Sequence, residues 1–299
     1  MKIMKGQRNK IIVNKTIAGK GSALPNLIII GAMKCATTSL HYYLGLHPEI
    51  SMSRKKELDY FQLEFNWDRG VDWYKSNFDS RAPVRGESST RYSSYPSYQG
   101  VPERMASLIP DARLIYIVRD PVERIISHYV HSYAKRIENR IFTDALKDFA
   151  GNTYIERSLY YTQLERYLNW CPKSNLMVLS FEELRDNRMA TLKKVFKFIG
   201  VDDSFSSGLF FKEKHRAKDM RRNNQLGAGI SEMRIVNSVG EIHQGAMWHL
   251  KRYLAYPFST PVVKPKLDEN MRLELIGRLS DDVHRLRKFT GAKYEKWCV

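Results

Sequence analysis

Leu27-Ile28-Ile29-Ile30-Gly31-Ala32-Met33-Lys34-Cys35-Ala36-Thr37-Thr38-Ser39-Leu40 sets an unbroken aliphatic run directly before a glycine, a lysine and three hydroxyl residues. Such a run suits a parallel strand buried on both faces. Gly31 permits a sharp turn, and an amphipathic helical segment follows from Ser39 to Leu46. A tight strand–turn–helix aims backbone N–H groups and a helix N-terminus at one point, which is a seat for a phosphate or sulfate. Lys34 adds a full charge there, and Thr37, Thr38 and Ser39 add hydroxyl donors.

The loop departs from the G-x-x-x-x-G-K-[ST] pattern of ATP and GTP binding. Its lysine comes three residues after the glycine, the second glycine is missing, and two threonines stand where the Lys-Ser/Thr pair would be. A nucleotide kinase is therefore a rival that lacks its own signature.

Outward from this stretch, a second strand–turn–helix occupies Arg113 to Arg136. Leu114-Ile115-Tyr116-Ile117-Val118 is a buried strand, and Arg119-Asp120-Pro121 opens a helix with proline at its first position. Arg119 then lies at a strand's C-terminal end, where open α/β sheets bind ligands, with Ser127 two turns on. Arg119 and Asp120 could equally form a local ion pair.

Further strands are expected over Val84–Tyr92, running into a polar loop, and over Leu176–Leu179. Helices are expected over Gly70–Phe78, Val101–Ile109, Arg157–Trp170, Arg188–Ile199, about Ala246–Leu254 and Leu267–Phe289. The alternation predicts an α/β fold, a single domain with a central parallel sheet flanked by helices. Residues 1–23 form a basic tail without an acidic residue, and residues 24–299 the domain. Within it, periodicity fades over 201–265, a loop-rich segment. His47, before Pro48, belongs to a turn.

The 299 residues carry 49 Lys and Arg against 32 Asp and Glu, a formal charge of +17. That excess implies an anionic partner, and a non-enzymatic polyanion or nucleic-acid binder is the reading from another class. Cys35, Cys171 and Cys298 fall outside any metal or disulfide spacing. The histidines His128, His131, His243 and His249 form no ligand set, so no metal is expected. No apolar run approaches the roughly eighteen residues of a membrane span.

Gly31 to Leu40 and Arg119-Asp120-Pro121-Val122-Glu123-Arg124-Ile125-Ile126-Ser127-His128-Tyr129 together resemble the sulfotransferases that use 3′-phosphoadenosine 5′-phosphosulfate (PAPS), in the branch of the heparan-sulfate enzymes and their bacterial relatives. The resemblance runs from Leu27 to Gly200, then through the basic segment near Arg222 and the closing helix toward Trp297. It implies a P-loop-like fold in which Lys34 and residues Cys35, Ala36, Thr37, Thr38 and Ser39 hold the 5′-phosphosulfate. It implies that Arg119 and Ser127 hold the 3′-phosphate and that Tyr160 lines the nucleotide pocket. Arg222, with Arg221 and Lys218, would close over the 3′-phosphate from the 201–265 segment. Glu57, in Lys56-Glu57-Leu58-Asp59-Tyr60-Phe61, matches the catalytic glutamate.

The expected reaction is in-line sulfuryl transfer from PAPS to an acceptor hydroxyl, leaving 3′,5′-adenosine bisphosphate (PAP), with Glu57 as general base and Lys34 stabilising the leaving oxygen. Asp59 is the alternative base, on the same side of an extended strand. Ser88 stands where the heparan-type enzymes carry a second lysine, Asp59 where they often carry histidine, and their C-terminal cysteine pair is absent. These departures put a glycan acceptor in doubt, and with no anchor expected the acceptor is read as an intracellular small molecule, such as a natural product. An amine acceptor stays open. The Golgi relatives' membrane anchor has no counterpart here, so the expected compartment is the cytoplasm.

Overall fold

The aliphatic run forms the middle of the sheet. In the computed structural model, which describes residues 24–148, 150–212, 220–232, 250–251 and 253–299, β1 (Leu27–Gly31) is buried along its whole length. It leads into α1 (Thr37–Leu44), followed by β2 (Ile50–Met52), α2 (Gly70–Lys75), β3 (Val84–Ser88), α3 (Val101–Leu108), β4 (Arg113–Val118) and α4 (Pro121–Ala134). Two one-turn helices, α5 (Phe142–Ala145) and α6 (Thr153–Glu156), precede α7 (Tyr160–Leu168), β5 (Leu176–Ser180), α8 (Phe181–Asp186) and α9 (Arg188–Ile199). Then β6 (Arg221–Asn223) pairs antiparallel with β7 (Ser259–Pro261), α10 (Gln225–Glu232) lies between them in sequence, and a C-terminal helix spans Glu269–Thr290.

The five main strands are all parallel, in the order β2-β3-β1-β4-β5. The chain lays β2 and β3 on one side of β1, then crosses to lay β4 and β5 on the other. The C-terminal ends of β1 and β4 therefore diverge into loops on either side of a switch point, and that leaves a crevice. This is a single α/β domain around one central parallel sheet. Ile28, Ile29, Ile115 and Ile117 fill the sheet's core. A second apolar cluster joins Ile125, Ile126 and Tyr129 of α4 to Leu275 and Leu279 of the C-terminal helix.

Several sequence expectations shift. The helix expected over Arg157–Trp170 is shorter at both ends, running Tyr160–Leu168 as α7, because Arg157–Leu159 connect it to α6. The inward face of α7 is Tyr160, Gln163, Leu164 and Tyr167, and Trp170 lies exposed beyond its end. Gln163 is tolerated inside because its amide bonds both the N–H (2.7 Å) and the carbonyl (2.7 Å) of Tyr95. Asp282 of the C-terminal helix accepts the N–H groups of Tyr161 (2.9 Å) and Thr162 (2.8 Å), holding the first turn of α7. Glu57 and Asp59 are not on an extended strand: both take positive φ, 61° and 50°. His47 is a buried turn residue whose Nδ1 accepts the Glu49 N–H at 3.2 Å. The basic tail 1–23, Lys218, His243, His249 and most of the helix expected at Ala246–Leu254 lie outside the described residues.

Candidate active site

The turn after β1 is shaped by close packing. Gly31 has φ 149°, and a Cβ there would meet Ser93 Oγ at 1.9 Å, so only glycine fits. Lys34 (φ 72°) and Ala36 (φ 67°) are left-handed without being glycine, a conformation costing about 1 kcal/mol or more apiece. That strain turns α1 so that its N-terminus opens into the crevice, with Ala36 as N-cap and no capping side chain. Lys34, Ala36, Thr37, Thr38 and Ser39 all line a cavity of about 840 Å³. Short side chains and an uncapped helix start make this wall a set of hydrogen-bond donors for an anion.

The charge beneath the loop is large. Lys34 Nζ lies 3.5 Å from His131 Nδ1. Burial, then the neighbouring cations Lys135 and Arg119, push its ammonium down to about 8. Arg124 is fully buried, with Nε donating to Ser158 Oγ (2.6 Å) and Nη2 to the Tyr154 carbonyl (2.6 Å). Its Nη1 finds no partner among the described residues. Cations held this close and this dry are mutually repulsive until an anion arrives.

At the end of β4, Arg119 and Ser127 line the same cavity. Asp120 is the N-cap of α4, accepting the Glu123 N–H at 2.9 Å, and its other oxygen accepts the Cys298 N–H at 2.6 Å. Arg119 pairs instead with Glu123 at 3.2 Å, a carboxylate it shares with Lys264 (2.9 Å). Its guanidinium lies 4.8 Å from the centre of the Phe181 ring, which also faces the cavity.

Across the cavity stands Glu57. Its backbone N–H bonds the Ser88 carbonyl at 2.9 Å, and its Oε2 accepts the Thr90 N–H at 2.8 Å. Its Oε1 is paired with Lys56. The carboxylate is thus held on two sides while still bordering the open space. His41 nearby is pushed down to about 4, chiefly by burial, and stays neutral near pH 7.

Other expected site residues are elsewhere. Tyr160 is fully buried under the loop, its hydroxyl 3.7 Å from Cys35 Sγ, and does not reach the cavity wall. Cys35 is equally buried, and burial pushes its thiol up to about 11, so its backbone alone can serve a ligand. Arg222 is spent on structure: it donates to the carbonyls of Tyr133 (2.6 Å) and Glu138 (2.9 Å) and to Asn139 Oδ1 (2.6 Å). Arg221 donates to Ser259 Oγ at 2.8 Å and lies over the Tyr256 ring. Of this ribbon segment Met220 reaches the cavity. Asp59 is bound to Arg91 and is not part of the wall.

Arg91, Arg157 and His131 border the cavity without a sequence signal that marks them. Arg157 Nε is buried without a partner among the described residues. Arg124 did carry a signal, since it falls on the inward face of α4 with Pro121, Ile125 and His128. Among the described residues no cluster of three or more His, Cys, Asp or Glu could hold a metal ion. No described helix is long and apolar enough to cross a membrane.

A donor-lined turn after β1, Arg119 and Ser127 after β4, and the Glu57 carboxylate all line one cavity beside the switch point of a parallel α/β sheet. The sulfotransferase domain family matches residues 24–239, and the chain belongs to that family, the PAPS-dependent sulfotransferases. Among curated proteins it is 30% identical over 199 residues to the human bifunctional heparan sulfate N-deacetylase/N-sulfotransferase 2, covering 60% of this chain. It is 27% identical over 201 residues to the human N-deacetylase/N-sulfotransferase 1. The match spans 22% of the length of each of these relatives. Among solved structures, a sulfotransferase from Alicyclobacillus acidocaldarius has the same fold (TM-score 0.66, 24% identity, 91% of this chain and 98% of that one).

Proposed function

We propose that the protein transfers a sulfuryl group from PAPS to a hydroxyl of an intracellular small-molecule acceptor, with Glu57 as the general base. One observation carries this reading: Glu57, Lys34 and Arg119, from three separate loops, and Ser127 of α4 border one cavity.

The donor set fits the nucleotide. The α1 N-terminus with Thr37, Thr38 and Ser39 would hold the 5′-phosphosulfate, and Arg119 and Ser127 the 3′-phosphate. The Phe181 ring supplies a flat apolar face for the base. When bound, PAPS supplies the sulfuryl group and a stable bisphosphate leaving group. Glu57 accepts the acceptor's proton at the oxygen that Lys56 now holds, so the Lys56 ion pair must yield as the acceptor enters. Lys34, whose ammonium a bound anion stabilises against its burial, puts positive charge where negative charge develops on the leaving side. Ser88 leaves no second lysine on β3, and Lys56, Arg91 and Arg157 are the cations that border that side of the cavity. All three cysteines are free, which fits a reducing, cytoplasmic setting.

A second reading is an amine or glycan acceptor. The names of the curated relatives favour it, although they share only a fifth of their length with this chain. Incubation with PAPS and parallel panels of phenols, alcohols, amines and glucosamine glycans, followed by mass spectrometry, separates the two. Sulfation confined to amines or glycans would overturn the hydroxyl assignment.

A further inference from the structure

Glu87, the penultimate residue of β3, is completely buried and lies outside the cavity. Its Oε1 accepts from Ser89 Oγ (2.6 Å) and Tyr92 OH (2.7 Å), and its Oε2 accepts from the Tyr74 hydroxyl. Ser89 Oγ also accepts the backbone N–H of Asp59 at 3.1 Å. Tyr92 OH accepts those of Tyr60 (2.9 Å) and Phe61 (3.4 Å). An amide N–H can only donate, so each hydroxyl must turn its single hydrogen toward Glu87. The directions of the Ser89 and Tyr92 bonds to Glu87 are thus fixed by the chemistry of the groups.

We infer that Glu87 is a positioning residue for the reaction: through Ser89 and Tyr92 it anchors the backbone N–H groups of Asp59, Tyr60 and Phe61 and so aims the Glu57 carboxylate. The loop needs such an anchor because Glu57 and Asp59 both sit at positive φ, which a free chain avoids. The anchor must be an acceptor, and a carboxylate oxygen takes two donors at once. No described ion pair involves Glu87. Its surroundings are the Tyr74, Tyr92 and Ser89 hydroxyls, the Asp59 carboxylate and the Tyr60 ring, stacked on Tyr74 at 4.1 Å. Burial pushes its carboxyl up to about 7, so the acceptor is held at a cost in charge burial.

This inference rests on Glu57 as the base, and its test has a readout independent of that. Glu87→Ala removes the acceptor, whereas Glu87→Gln keeps one oxygen for Ser89 and Tyr92 and turns an amide toward the Tyr74 oxygen. Amide exchange of the peptide 57–62, PAP affinity by calorimetry and PAP release from PAPS are measured for each. Glu87→Ala should raise exchange in 57–62 by about tenfold, the worth of one lost bond, without raising it over 31–40. Transfer should fall by about 10²-fold, as for a misplaced group, with PAP affinity unchanged, and Glu87→Gln should restore both exchange and transfer. Wild-type exchange in Glu87→Ala, or no rescue by glutamine, overturns the inference. Should Glu87→Ala not fold, Tyr92→Phe must show the same local exchange and loss of turnover, or the inference fails. If Glu57→Gln turns over normally while the exchange results hold, the base assignment falls and the anchor stands.

Discussion

Lys34 Nζ, on the turn after β1, lies 3.5 Å from Nδ1 of His131, three turns along α4. That contact joins the two motifs that the sequence presents separately, and it sits in a field of cations. Burial and the neighbouring Lys135 and Arg119 bring Lys34 down to about 8, so it is half charged at that pH. An anion in the loop restores the ordinary lysine range. PAP binding at pH 8 should therefore take up a proton, and affinity should fall as pH rises above 8. Calorimetry in buffers of different ionisation enthalpy measures the uptake, and Lys34→Ala should abolish it.

Glu57→Gln keeps the shape of the side chain and its bond from Thr90 but cannot take a proton. Turnover should drop by about 10²–10⁴-fold with little change in PAP affinity. Single-turnover transfer from labelled PAPS tests this. Asp59 offers no substitute base, because Arg91 binds it away from the cavity wall.

Arg119→Ala and Arg222→Ala should differ in kind. Arg119 borders the cavity, and losing a charge-assisted contact worth roughly 1.5–3 kcal/mol should weaken PAP about tenfold or more while sparing AMP. Arg222 braces the end of α4, so its loss should lower thermal stability and leave the PAP-to-AMP ratio unchanged. Parallel calorimetry and melting curves separate the two.

Stability should carry the mark of Glu87. Its carboxyl is raised to about 7 from an ordinary 4.5, so the folded state holds the proton longer than the unfolded chain. Its contribution is complete below about 4.5 and is lost as pH rises toward 7. Glu87→Gln has no such loss, so the stability gap between the proteins should move in the variant's favour across that window, by at most roughly 3 kcal/mol. Urea titrations at pH 5 and pH 7.5 read the difference.

Asp282→Ala should destabilise the protein by about 1–3 kcal/mol, since it leaves the Tyr161 and Thr162 N–H groups without their acceptor. The midpoint of denaturant unfolding should fall, with PAP affinity retained in the folded fraction.

The sequence by itself determined what is local. The run Leu27–Gly31 reads as a doubly buried strand, and Arg119-Asp120-Pro121 reads as a turn opening a helix at a strand end. Both signals lie within a few consecutive residues, where periodicity and turn chemistry act directly. Even there the helical spacing that puts Arg124 on the inward face of α4 says nothing of its buried partners Ser158 and Tyr154. The tertiary structure alone decided which charges meet. It alone showed that Arg221, Arg222 and Tyr160 have structural partners, and that Arg91, Arg157 and His131 border the cavity instead. Glu87 reaches the loop after Glu57 because β3 lies beside β2 in the register Met52↔Gly86, with the turn over Thr90–Ser93 folding Tyr92 back onto that loop. Such contacts join residues thirty or more positions apart, and no local preference of the chain encodes which of them will pair.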